Sequence, residues 1–394
     1  MTAKWLRIQL WVLVLLLCAV GMVMIASTTA GMNGSSGLGL NYGYLVKQGL
    51  ALLVGLAGAA LISWLGSDRL GRPWVVGMAA TLTIGALIAV HLIGRESHGA
   101  KRWIDLGPIN LQPAELAKLA LVIVAAWHLT RCAERVRVLW NGVLLPLAAF
   151  AVVGGLVYFT KDLGSVVVMA VVLGGMFVFS GASWLYYVSL GVLCLPAALY
   201  VTVYQVAYRR DRMLAFLDPW NSEGPAAYHL RQSYITIGSG GLFGVGLGQS
   251  SAKLAFLPEK HTDFIFAVIC EELGLVGGCT VAFLFLALIL TGLAIAMQAR
   301  GRHQRLLAIG AILVLGFQSF WNMLVVVGAV PTKGLTLPFI SYGGSSMVVC
   351  LALIGVLDAV ARATVKATRR TSSARIGAAV LGSQSWRWQT GGGR

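Results

Sequence analysis

Ten blocks of mostly apolar residues, each near twenty long and set apart by charged breaks, leave this chain little choice of environment. A helix of about 20 apolar residues crosses a bilayer core of about 30 Å. Inside lipid every backbone N–H and C=O must find a partner within the protein, so blocks of this length read as helices. They are expected at about 8–28, 44–65, 73–94, 113–130, 138–158, 164–181, 184–204, 264–298, 306–328 and 345–363. Only 11% of residues are charged, against roughly a quarter in a soluble globule. The expected fold class is therefore all-α: a polytopic membrane protein of about ten transmembrane helices with a large extracytoplasmic loop, about 205–263. Residues 1–365 make the transmembrane domain, and 366–394 read as a basic, disordered tail. The 264–298 block is long enough for one tilted helix with a cytoplasmic extension.

Lys4 and Arg7 before an apolar run resemble a signal peptide, but the run exceeds an ordinary h-region, so an uncleaved first helix is the better reading. The six cysteines form no C-x-x-C pair and give neither a disulfide framework nor a zinc site. The net charge of +16 would suggest nucleic acid in a soluble protein. Here the basic residues flank apolar blocks, where they set orientation and meet anionic lipid, so no nucleic-acid partner is expected. Arg69 and Arg72, Arg131, Arg135 and Arg137, Arg300, Arg302 and Arg305, and the tail from Arg362 fall on one face. That face reads as cytoplasmic, with both termini there and the chain in the cytoplasmic (inner) membrane.

The 205–263 loop resists this rule, carrying Arg209, Arg210, Arg212, Arg231, Lys253 and Lys260. Either its charge meets an anionic ligand, or it is a long loop that translocates whatever its charge. At its end stand Glu259, His261 and Asp263. Asp263 reads either as the N-cap of the next helix or as a carboxylate lodged where an aqueous loop meets an apolar wall, the setting of a general base. Glu271 and Glu272 follow, roughly 12 Å below Asp263 if the helix is straight. They are functional by default at that depth, or paired within the bundle. Glu115 and Lys118, three apart, form an intrahelical ion pair or line a polar cavity. Lys101, Arg102 and Trp103 suit the headgroup zone. Asp162 is a cap or an active-site partner, and Lys333 sits in a Pro- and Gly-broken stretch before Ser341. The glycine run from Gly238 to Gly248 lacks the Gly-Lys-Ser/Thr ending of a phosphate loop and reads as flexible turns. A divalent cation, Mg or Mn, held by Asp263, Glu259 and a substrate diphosphate has no spacing to support it.

In family order the chain carries GAKRWIDLGPINLQPAELAK (99–118), DLGS (162–165), YRRDRMLAFLDPW (208–220), LPEKHTDFIFAVICEELGLVG (257–277) and PTKGLTLPFISYGGSS (331–346). Together these resemble the SEDS family of membrane proteins (FtsW, RodA and SpoVE), over essentially Ile8 to Val365. The PTKGLTLP form is more like the division branch, FtsW, than the elongation branch. Lys47 stands where the family usually has Arg, which keeps the charge but loses the bidentate fork. The resemblance implies a peptidoglycan glycosyltransferase that polymerises lipid II and undecaprenyl-linked glycan. It further implies a class B penicillin-binding protein and other divisome proteins as partners. It also implies that Asp263 is the essential acid, with Trp103, Glu115, Lys118 and Asp162 lining the cavity. The mechanism expected is deprotonation of the acceptor hydroxyl by Asp263, with Arg102, Lys118, Arg210, Arg212 and Lys333 stabilising the departing diphosphate. A lipid II flippase and a non-catalytic scaffold for the penicillin-binding protein are the rival readings.

Overall fold

The computed structural model describes residues 2–29, 42–97, 100–105, 107, 110–136, 138–181, 207–250 and 261–389, with a few positions between 182 and 206. Its helices are α1 (Ala3–Thr29), α2 (Tyr42–Leu65), the short α3 (Ser67–Leu70), α4 (Pro73–Ile93), α5 (Pro113–Arg131), α6 (Leu145–Phe159), α7 (Leu163–Phe179), α8 (Ala207–Leu217), α9 (Pro225–Ser239), α10 (Ile265–Gln298), α11 (Arg302–Val326) and α12 (Gly344–Gln389). Among the described residues eight helices are long and apolar enough to cross a membrane, and Leu163–Phe179 is a shorter apolar one. These answer nine of the ten expected blocks. The other, 184–204, lies largely outside the described residues. Pro73, Pro113 and Pro225 open α4, α5 and α9, where a missing N–H costs nothing and φ is already helical.

α11 and α12 are the most enclosed helices, while α2 and α4 present most of their surface outward. α2 lies along α12, α1 packs on α10 and α12, and α11 touches α5, α7, α10 and α12. At the arginine-rich end, buried Asp358 accepts from Arg7 Nε at 2.5 Å and Nη2 at 3.0 Å, and from Ser63 Oγ. Arg362 reaches the same serine at 3.1 Å. This network ties α1, α2 and α12 and leaves the carboxylate well satisfied, the condition for burying a charge.

The opposite, loop-rich face departs from expectation in three ways. First, residues 95–111 form a small antiparallel sheet, β1 (Arg95–Ser97), β2 (Ala100–Asp105) and β3 (Asn110–Leu111), in that order, with Ile104 opposite Leu111. Second, the 205–263 stretch is not structureless, since α8 and α9 occupy much of it.

Third, α10 is not one tilted helix. Gly274 has φ 69° and ψ −170°, and the chain folds back there. A Cβ on Gly278 would lie 2.7 Å from Cys270 Sγ and 3.7 Å from the Phe266 ring. In a straight helix Phe266 and Gly278 would be about 18 Å apart. The glycine run before α10 heals the break. Val245 and Gly246 donate to the carbonyls of Glu271 and Glu272, at 3.0 and 3.1 Å, while Leu275 and Val276 donate to Gly241 and Leu242, at 3.0 and 3.2 Å. This run is therefore a fitted brace rather than a set of flexible turns.

The fold-back also inverts the depth assigned to the two glutamates. Ser27, two residues from the end of α1, donates to both Glu272 oxygens at 2.8 and 2.7 Å. The turn carrying Asp263 is tied to Ser341, whose neighbours Phe339 and Ile340 lie against Gly21. A Cβ there would meet Phe339 O at 2.5 Å, so only glycine admits that approach. From 21 to 27 is six residues, about 9 Å of rise. Asp263 lies deeper than the glutamates, not above them.

Candidate active site at the loop-rich face

The site is built around residues 331–346, which leave α11, dip against α1 and open α12. Leu335, Leu337, Phe339 and Ile340 are buried and anchor the stretch. Ser341 Oγ donates to Thr262 O at 2.6 Å and accepts from Leu337 N at 2.8 Å. Tyr342 N donates to His261 O at 2.9 Å. The rings of Tyr44, His261 and Tyr342 pack together with centroids 5.0 to 5.8 Å apart. Gln48 Nε2 donates to Ser341 O, and Gln48 Oε1 accepts from Gly343 N, each at 3.2 Å. Three remote segments thus converge on Asp263.

Asp263 is half-buried. The N-cap of α10 is the next residue, Phe264, which makes no side-chain cap bond. Capping is therefore not what places the aspartate. A Cβ on Gly334 would come within 2.7 Å of Asp263 Oδ2, so the carboxylate lies against the loop backbone beside Lys333.

Lys333, Arg209 and Arg212 gather into a cationic group. Burial, aided by Arg209 and Arg212 and opposed by Asp162, pushes the Lys333 ammonium down to about 8. Arg212 Nη1 donates to Thr332 O at 3.2 Å. Arg209 stacks over Tyr158 at 5.1 Å and donates to its hydroxyl at 3.2 Å. Arg209 and Arg212 are three apart on α8 and so share a face. Arg210 is exposed and lies about 100° around the helix from Arg209. Of the expected pair, Arg212 belongs to this group together with Arg209, while Arg210 lies on a different side of α8. Arg102 donates to the carbonyls of Thr160 at 3.2 Å and Lys161 at 2.7 Å, just before α7.

Asp162 caps α7, accepting from Ser165 N at 3.1 Å and Ser165 Oγ at 2.8 Å, and also takes Gln112 Nε2 at 3.1 Å. Asp162 is thus the cap of α7, and its charge also acts on Lys333. Beneath it, Lys118 Nζ binds Glu115 Oε1 and Gln318 Oε1, both at 2.7 Å, in full burial. Gln318 Nε2 continues to Thr336 O at 3.0 Å, and Thr336 Oγ1 meets Ser346 Oγ at 2.8 Å. A buried polar chain therefore joins the ion pair to the dipping loop.

Lys47 and Lys101 are exposed, and Trp103 is half-buried on β2. Glu271 accepts from Ser250 Oγ and from Ser239 Oγ, the latter at 3.4 Å, so the glutamates hold the fold-back rather than line the loop. Glu259 lies outside the described residues. Among the described residues no group of three His, Cys, Asp or Glu could hold a metal ion. Gln48, Arg209, Gln318 and Asn322 were not singled out from sequence. Gln318 and Asn322 had a legible signal: two amides four apart inside an apolar helix, where every polar group needs a partner.

The family described as cell cycle protein, comprising FtsW, RodA and SpoVE, matches residues 7–366. The chain belongs to this family. A relative from Geobacter metallireducens, named probable peptidoglycan glycosyltransferase FtsW, is 39% identical, covering 89% of this chain and 94% of its own. One of the same name from Halomonas elongata is 38% identical, over 92% and 93%. Among solved FtsW/RodA/SpoVE-like structures, a peptidoglycan synthase complex that coordinates polymerization and crosslinking matches with TM-score 0.74 and 30% identity, over 90% of this chain and 97% of that one. The rod shape determining protein RodA of Thermus thermophilus matches at 0.64 and 28%, over 90% and 95%.

Proposed function

We propose that Asp263 is the general base of a glycan-polymerising centre on the extracytoplasmic side of the inner membrane. The chain is a peptidoglycan glycosyltransferase. Its substrate on this reading is lipid II. The observation that carries the assignment is a half-buried carboxylate lying against the loop backbone at Gly334, the residue after Lys333, whose ammonium shares its surroundings with Arg209 and Arg212. Asp263 takes the proton of the acceptor sugar hydroxyl as that oxygen bonds the donor anomeric carbon. The donor carbon–oxygen bond breaks, and its electron pair leaves with the undecaprenyl diphosphate. The cations meet the charge that develops there, which is where electrostatic stabilisation counts most. A divalent cation carried on the diphosphate would add to the same effect. One base is enough, because a diphosphate leaves without protonation, unlike the alcohol expelled by a two-carboxylate glycosidase.

Orientation follows from the arginine-rich end lying on the cytoplasmic side, with both termini there. A class B penicillin-binding protein and other division proteins are the proposed partners, supported by the likeness to a solved synthase complex. A broken α10 and the buried Glu115–Lys118 pair favour one second reading, transport of lipid II, because transporters place sites at discontinuous helices. Reconstitution with labelled lipid II separates the two. Asp263→Asn should slow glycan polymerisation about 100- to 10,000-fold while substrate binding persists, and full polymerisation by that variant would defeat the base assignment.

A further inference from the structure

We infer that Asn322 is a positioning residue for the transfer reaction, fixing Asp263 against the dipping loop through both hydrogens of its amide. The inference rests on Asp263 being the base. Asn322 lies on α11 with 1% of its surface exposed. Its Nδ2 donates to Asp263 O at 2.8 Å and to Leu335 O at 2.6 Å. One turn away on the same face, Gln318 Nε2 donates to the next loop carbonyl, Thr336 O, while its Oε1 receives Lys118. Two amides thus hold two consecutive carbonyls of the loop, and each reaches one charged residue of the site.

The reason such a clamp is needed lies in the fold-back at Gly274. The half-helix that follows Asp263 is not continuous with the long membrane-crossing half of α10, so helix rigidity cannot set where the carboxylate sits. The carbonyls of Asp263 and Leu335 both point at one buried nitrogen. Without a donor between them two buried acceptors are left facing each other, a costly arrangement away from water. The requirement is thus for hydrogen-bond donors at 322, not for volume. Displacing a reacting group by about 1 Å can cost about 100-fold in rate, so the clamp acts on turnover.

The test compares Asn322→Asp, Asn322→Ala and Asn322→Gln in the full chain, using labelled lipid II in liposomes and thermal melting. Aspartate keeps the shape but replaces donors by an acceptor, so it should lower kcat at least as much as alanine, about 100-fold, with KM within threefold. Were the side chain merely filling space, aspartate would be the mildest change, and that ranking would overturn the inference. Glutamine keeps both donors but lengthens the reach; it should fold normally and lose about tenfold in kcat, whereas unaltered turnover would count against positioning. In an Asp263→Asn background the Asn322 changes should leave the residual rate within threefold, and an undiminished further loss would assign them to general stability. Full activity of Asn322→Asp alongside a strongly slowed Asp263→Asn overturns this inference alone, whereas a fully active Asp263→Asn overturns the base reading beneath it.

Discussion

Replacing Gly274 by alanine isolates the contribution of the fold-back in α10. The new Cβ would lie 2.4 Å from both Gly244 N and Leu242 O, which are backbone atoms that cannot swing aside. The backbone itself, at φ 69° and ψ −170°, is in a region essentially confined to glycine, and strain of that kind costs about 1–3 kcal/mol. Moving the brace also loosens the four bonds from Val245, Gly246, Leu275 and Val276. At about 1 kcal/mol each, losing half of them adds roughly 2 kcal/mol. The total is roughly 3–5 kcal/mol. Gly241 is the internal control: its φ is also positive, at 55°, but a Cβ there meets nothing within 4 Å. Gly241→Ala should cost only the left-handed penalty of about 1–2 kcal/mol. Thermal melting in detergent, followed by polymerisation of labelled lipid II, reads both. Equal melting shifts for the two variants would refute the argument that close backbone approach, rather than φ alone, holds the break.

Lys118→Met should destabilise by about 3–5 kcal/mol because it strands buried Glu115, whose Oε2 already lacks a partner among the described residues. Adding Glu115→Gln should recover much of that loss in the same melt. Asp358→Asn should lower the melting temperature by weakening the bonds to Arg7 and Ser63 while leaving KM for lipid II unchanged. Lys333 is charged below about 8 and neutral above it, so turnover should fall as pH rises through that value. Lys333→Arg should move the alkaline limb beyond the assay range, and an unchanged profile would exclude the ammonium from catalysis. The same downward shift makes folding bind fewer protons than unfolding between about 8 and the ordinary lysine value, so fold stability should rise with pH across that window.

Much of the site was legible because its residues violate the membrane environment. Glu115, Lys118 and Lys333 carry charges in or beside apolar blocks, where the sequence alone marks them as needing partners. Asp263 stood out at a loop–helix junction. Arg209 was hidden because adjacent arginines look alike until α8 assigns them to different faces. Gln48 was hidden because a single amide in a run of apolar residues has no spacing to betray its partner, which lies at Ser341 and Gly343.

What the amino-acid order determined by itself is local: helix positions, which end carries the arginines, and the family motifs. Those follow from block length, charge and short-range backbone rules. Tertiary structure alone decided the depth of Asp263 and the clamp at Asn322. Both depend on Gly274 folding a seemingly continuous helix back on itself, and a straight 34-residue helix and a broken one share the same apolar pattern. Only the remote glycine run that satisfies the exposed amides and carbonyls makes the break stable, and no local pattern encodes a partner that distant.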